Sequence, residues 1–178
     1  GALRLRGESA LQIVVGEEIC SAQGEIIGLF LQAHIPPGLT PAETVQRIHE
    51  QGGVVCVPHP ADRLRGSVLA PSAFEEIAPE VDAVEVLNAR ITFGTDNRLA
   101  RALAERHHLL RTAGSDAHHP SEIGRAYVEM PTFWDRDSFL IGLALGQIRG
   151  HLSPPYVHVA STYARVAKNV RAQRVPTP

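Results

Sequence analysis

The strongest constraint on the fold of this chain is a series of short apolar strand segments alternating with helical ones. Val54-Val-Cys-Val57 is the clearest: four consecutive apolar residues cannot form a half-exposed strand and read as a strand of a parallel sheet. Leu11–Val15 is a similar β-branched run, and Glu25–Gln32, Asp82–Leu87, Leu109–Thr112 and Arg125–Met130 complete the predicted strands. Between them the spacing predicts helices. Thr40 precedes Pro41 with Glu43 at N3, a capping box that opens a helix running to about Gln51. Pro71–Ile77 is a second helix. Asp96 is expected to cap a third over Asn97–His107, with Leu99, Ala102 and Leu103 inward, and Asp137–Leu145 is a fourth, stopped by Gly146. Such β-α-β alternation indicates a parallel α/β arrangement, either a barrel or an open sheet.

The 178 residues fit one domain with a C-terminal extension: a body over residues 1–152, and a 153–178 segment with a helix to Arg171 and a disordered end at Val175–Pro178. Gly1–Ala10 reads as the end of a helix. A net charge of −2 argues against a general nucleic-acid or membrane-binding surface. Cys20 and Cys56 form neither a CxxC pair nor a disulfide framework, so a reducing, cytoplasmic setting is expected. No apolar run is long enough for a transmembrane helix, and the start does not resemble a signal peptide.

The chemistry is concentrated in Arg111-Thr-Ala-Gly-Ser-Asp-Ala-His-His-Pro120. Asp116 and His118 alternate, so in an extended segment they point into one space. A hard oxygen donor beside an imidazole suits zinc, manganese or iron, although Gly, Ser, Asp and Pro are also ordinary turn residues. His59 is held between two prolines after the Val54–Val57 strand, and Glu18 follows the Leu11–Val15 run. Side chains at the C-terminal ends of strands are where α/β folds gather ligands. Glu18, His59, Asp116 and His118 share that placement, and their coincidence says more than any single motif. Glu17 reads as solvated surface, His49, His107 and His108 as helix residues, and His34 and His119 as loop histidines.

Together VGEEI, VPHP and AGSDAHHPSEIGRA resemble the later motifs of the PHP family (polymerase and histidinol phosphatase). The resemblance spans Leu11–Met130 and extends into EVLNAR. It implies an incomplete, distorted (β/α)7 barrel, with parallel strands, outer helices and a cluster of up to about three divalent ions at the strand ends. It implies Glu18, His59, Asp116 and His118 as ligands and catalytic residues: Glu18 as the bridging glutamate, His59 as a ligand of the second metal, Asp116 and His118 as the last motif. The family's HxH motif and its following Asp-His pair are not present in these residues. At Glu25 many relatives carry a metal-binding histidine; glutamate can replace it as a ligand, and an exposed strand position is the alternative.

The reading that follows is metal-dependent hydrolysis of a phosphate ester on a small phosphorylated substrate. Metals held through Glu18 and Asp116 would activate water, and Arg63, Arg65 or Arg90 would clamp the phosphate. The implied cofactors are about two or three zinc, manganese or iron ions. The rivals are a catalytically incomplete binding or regulatory module, which the missing motifs favour, and a metal-dependent hydrolase of another bond.

Overall fold

The computed structural model describes residues 11–154. The expected helix end over residues 1–10, and the helix and tail expected within 153–178, lie outside the described residues from 155 onward and up to 10. The elements are β1 (Gly16–Ser21), β2 (Gly24–Leu29), α1 (Pro41–His49), β3 (Val54–Val57), α2 (Pro71–Ile77), β4 (Ala83–Asn88), α3 (Gly94–Arg106), β5 (Leu110–Gly114), β6 (Ala126–Glu129), α4 (Arg136–Leu145) and β7 (Gln147–Gly150). Single 3-10 turns follow α2 and precede β6. No helix among the described residues is long and apolar enough to cross a membrane.

One sheet runs in the order β1-β2-β3-β4-β5, and β6 and β7 form a separate antiparallel pair. Only β3, β4 and β5 run parallel; β1-β2 and β2-β3 are antiparallel, so the sheet is mixed where parallel strands were expected. The two-residue connection Ala22-Gln23 explains this, since a tight turn returns the chain antiparallel whereas a parallel neighbour needs a crossover.

Alternation along the strands divides the sheet into two faces. Ile19, Ile26, Val55, Val57, Val84 and Val86 point to one face, where α1, α2 and α3 bury Val45, Ile48, Phe74, Ile77 and Ala104 against them. Each fully buried aliphatic of this core contributes about 1.5–3 kcal/mol from apolar burial. The residues between them, Glu18, Glu25, Ile27, Cys56 and Glu85, point to the opposite face. There α4 and β6 cover only part of the sheet, through Cys56, Ala83 and Leu143 with Phe139 and Val128. The carboxylates and the large core therefore lie on opposite sides of the same strands.

Three element expectations are corrected. Leu11–Val15 is not a strand; its Val15 carbonyl accepts from Leu31, and the ladder begins at Gly16. Glu18 therefore lies inside β1. Asp96 does not cap α3, whose N-cap is Phe93 without a side-chain bond; Asp96 is in the first turn, fully buried and turned toward Arg63. The inward face of α3 is Asp96, Asn97, Ala100 and Ala104, whereas Leu99 and Ala102 are exposed and Leu103 is half-buried. Small alanines let this helix approach β4 closely, and that contact outranks the larger leucine. The capping box of α1 is present as expected, with Thr40 and Glu43 reciprocally bonded.

Candidate metal centre

Because Ile27 pairs with Cys56 in antiparallel register, β2 enters the sheet beside the end of β3. Glu25, at the start of β2, thus lies next to the Pro58-His59-Pro60 segment, and Glu18 reaches the same place from β1, opposite Ile27. The His59 Nε2 stands 3.4 Å from Glu18 Oε1 and 3.5 Å from Glu25 Oε2. One donor atom from each of the three side chains fits within a 4.8 Å span. Two carboxylate oxygens and an imidazole nitrogen, drawn from three elements, fit one divalent cation of the zinc, manganese or iron kind, with room for further ligands. Glu25 is oriented from behind by the Ser67 hydroxyl, which donates to its Oε2 at 2.6 Å.

His59 is 1% exposed and adopts a left-handed backbone (φ 30°), and its Nδ1 is buried without a hydrogen-bond partner among the described residues. Arg65 Nη1 lies 3.1 Å from its Nε2. A guanidinium only donates, so this contact requires a lone pair on Nε2, which is also the state of a metal ligand. The same guanidinium is ion-paired with Asp116. Burial works against the charge of Arg65, but Asp116, with Asp62 and Glu25, outweighs it and holds the guanidinium above its usual range.

Asp116 follows β5, adopts a left-handed backbone (φ 48°), and lines with Glu18, His59, Glu85 and Asn88 a cavity of about 410 Å³. It shares the cavity with the cluster without joining the three-residue donor set. His118 is placed differently. Its side chain is 55% exposed, its Nδ1 lies 2.8 Å from the Asp116 carbonyl, and its backbone N–H donates to Glu122. Among the arginines of the described residues only Arg65 reaches the centre. Arg63 is bound through Nε to Asp96 at 3.0 Å, and Arg90 is buried with Nη1 2.7 Å from Glu122, so neither guanidinium faces the cavity as a phosphate clamp requires. Glu17 and the His34 ring pair with each other at 2.6 Å, and His119 accepts from the Ser121 N–H.

Glu85 was missed in the sequence. It lies inside β4, is 7% exposed, and burial pushes its carboxyl up, opposed by hydrogen bonds from Asn88 and the His59 N–H. A charged residue in the otherwise apolar Ala83–Leu87 run was the available signal.

Residues 94–148 match a family model described as PHP-associated, a span that takes in β5, Asp116 and His118. The fold is similar to that of a two-domain protein from Bacteroides vulgatus containing a predicted PHP-like metal-dependent phosphoesterase, with a TM-score of 0.59 at 13% identity over 84% of this chain and 48% of that one. Residues 94–148 are thus PHP-associated in sequence. PsfC from Pseudomonas syringae is another structure of similar fold, with a TM-score of 0.61 and 19% identity over 85% of this chain and 65% of that one. At such identities the likeness is one of fold. Two uncharacterised proteins of Methanocaldococcus jannaschii are nearer in sequence. MJ1587 is 41% identical over 97 residues, 54% of this chain and 54% of that protein. MJ0417 is 40% identical over 119 residues, 65% of this chain and 50% of that protein. The chain thus spans about half the length of the curated relatives it matches.

Proposed function

We propose that the protein to which this PHP-like chain belongs hydrolyses a phosphate ester on a small phosphorylated substrate, using divalent cations. The observation that carries this reading is the convergence of Glu18, Glu25 and His59 within 4.8 Å, with Glu18 and His59 lining a cavity that Asp116 shares. In the proposal Glu18, Glu25 and His59 hold a first cation, and Asp116, with His118 from the same loop, contributes to a further one. Such ions would supply Lewis acidity toward a phosphate oxygen and an attacking water. Arg65 would turn from His59 and Asp116 to the substrate, since a guanidinium pairs with phosphate through two parallel hydrogen bonds. The unmatched half of each of these relatives leaves room for strands and ligands that would complete a distorted (β/α)7 barrel, its inner face being the one that carries the carboxylates. A cytoplasmic setting and a body ending near residue 152 belong to the same proposal.

One observation favours a second reading, a non-catalytic PHP-like binding module. Arg65 already places a positive charge between His59 and Asp116, so part of the cluster's negative charge is offset by the chain itself. Elemental analysis of the protein after equilibration with Mn²⁺ or Zn²⁺, followed by a phosphomonoester panel with and without chelator, separates the two. Stoichiometric metal and chelator-sensitive phosphate release are expected. Absence of metal uptake would overturn the hydrolase reading and leave the module; metal uptake with release only from non-phosphate esters or amides would move the chemistry to another bond.

A further inference from the structure

We propose that Glu85 and Asn88 are positioning residues of the metal centre, fixing from β4 both the His59 side and the Asp116 side of the cavity. The inference rests on the metal-centre reading above and extends it to residues outside the donor set. Glu85 stands between Val84 and Val86, both buried in the large core, so alternation turns its side chain to the opposite face. A buried carboxylate is costly unless its oxygens are bonded. Its Oε2 accepts two bonds, from the His59 N–H at 2.9 Å and from Asn88 Nδ2 at 3.0 Å.

The first of these bonds falls where the chain needs it. β3 leaves the ladder at Val57, and His59 then takes the left-handed conformation that few side chains adopt. Such a residue persists only when its surroundings over-determine it. Glu85 supplies the acceptor for its N–H, which sets the direction of the imidazole toward Glu18 and Glu25.

Asn88 extends the brace to the other side. Its Nδ2 also lies 3.3 Å from Asp116 Oδ2, and Asp116 is again left-handed. Asn88 itself is locked: its N–H donates to Asn97 Oδ1 at 3.0 Å, Asn97 Nδ2 donates back to its carbonyl at 3.2 Å, and its Oδ1 accepts from the Arg90 N–H at 2.8 Å. The register between β4 and β5 shifts between Glu85 and Leu87, which brings Asn88 beside Gly114. Bulges of this kind re-aim side chains beside functional sites. Space for the Glu85 carboxylate comes from the bare Cα at Gly114, where a Cβ would stand 2.5 Å from Oε1. The rigid contact of α3 with β4 is thereby transmitted to a ligand on each of two strand ends.

The test is calorimetric titration of Mn²⁺ into the wild-type protein and the variants Glu85→Gln, Glu85→Leu and Asn88→Ala, with thermal unfolding of each metal-free protein beside it. Glu85→Gln retains an oxygen acceptor and is expected to bind within about twofold of wild type, whereas Glu85→Leu and Asn88→Ala bind about 10–100-fold more weakly. Rescue by glutamine is the outcome that a role for the charge does not give, and loss of Mn²⁺ affinity without a matching loss of thermal stability is the outcome that a merely structural role does not give. Should Glu85→Leu fail to fold, Asn88→Ala against Glu85→Gln decides. Wild-type affinity in Asn88→Ala, or a loss in Glu85→Gln equal to that in Asn88→Ala, overturns the inference while the metal centre stands. A wild-type protein that binds no Mn²⁺ overturns both.

Discussion

At the scale of single residues, the centre depends on what each ionisable group faces, and Glu25 and His118 make the sharpest contrast. Glu25 has a side chain 14% exposed, held by Ser67 and aimed at His59 Nε2. His118 is largely exposed, with its Nδ1 engaged by a carbonyl two residues back. Removing the Glu25 charge takes a preset donor from the cluster, and removing the His118 ring takes only a group that must first reorient. Glu25→Gln is therefore expected to weaken Mn²⁺ binding by about tenfold or more, and His118→Ala by clearly less, in parallel calorimetric titrations. The reverse order would move the centre of the site from the β1-β2 hairpin to the loop after β5. Arg65 offsets part of the charge of this cluster. Glu18, Glu25 and Asp116 are like charges around one imidazole, and a guanidinium among them offsets their repulsion.

At the scale of elements, the site is a product of strand pairing, which decides what could be read from sequence. Self-contained signals were legible: the capping box at Thr40, the fully apolar β3, the proline-initiated α2, and the Asp116 segment broken from β5 by Gly114. β1 was misplaced because its alternating Glu18, Ile19 and Cys20 carry no continuous apolar run; it is a strand by virtue of its ladder with β2. β7 was not read as a strand, since Gln147–Gly150 is short and pairs only with β6. Glu25 was left open for a related reason. Its neighbours His59 and Ser67 lie more than thirty residues away, and only the antiparallel register brings them together. The hairpin turn has its own requirement at Gly24, which has φ 130° and lies so close to Leu69 that a Cβ would overlap the Leu69 backbone. Gly38 is a useful control, with φ 83° and open space around it. Gly38→Ala is expected to cost about 1 kcal/mol from the left-handed conformation alone. Gly24→Ala adds a backbone collision and is expected to cost about 3 kcal/mol or more in urea unfolding. It should also weaken Mn²⁺ binding, because Glu18 and Glu25 are the two arms of that hairpin. Equal costs at the two glycines would mean that the turn and the 58–70 loop are not tightly joined.

At the scale of the whole molecule, one sheet separates two cores of unequal size, and Cys56 reports on the smaller. Val55 and Val57 face the large core under α1, α2 and α3, whereas Cys56, between them, faces α4 with Ala83 and Leu143. Burial pushes the Cys56 thiol up to about 12, the nearby Glu85 carboxylate adding to the effect and a hydrogen bond with Thr112 opposing it. The thiolate is the reactive species, so burial keeps Cys56 in its unreactive thiol form while this side is closed. Cys20, by contrast, is exposed on β1. A disulfide reagent added to the native protein is therefore expected to titrate one thiol rapidly, that of Cys20. Cys56 should react only through opening of the α4 side. Since this cover buries few side chains among the described residues, its opening should require less free energy than loss of the large core. Measured across a urea series, Cys56 labelling should rise at lower denaturant than the loss of helical circular dichroism. Coincident transitions would show instead that α4 and the carboxylate-bearing face unfold only with the rest of the sheet, as one cooperative unit. Two rapid equivalents in native buffer would show that the α4 side is already open, leaving the back of the cavity exposed to water.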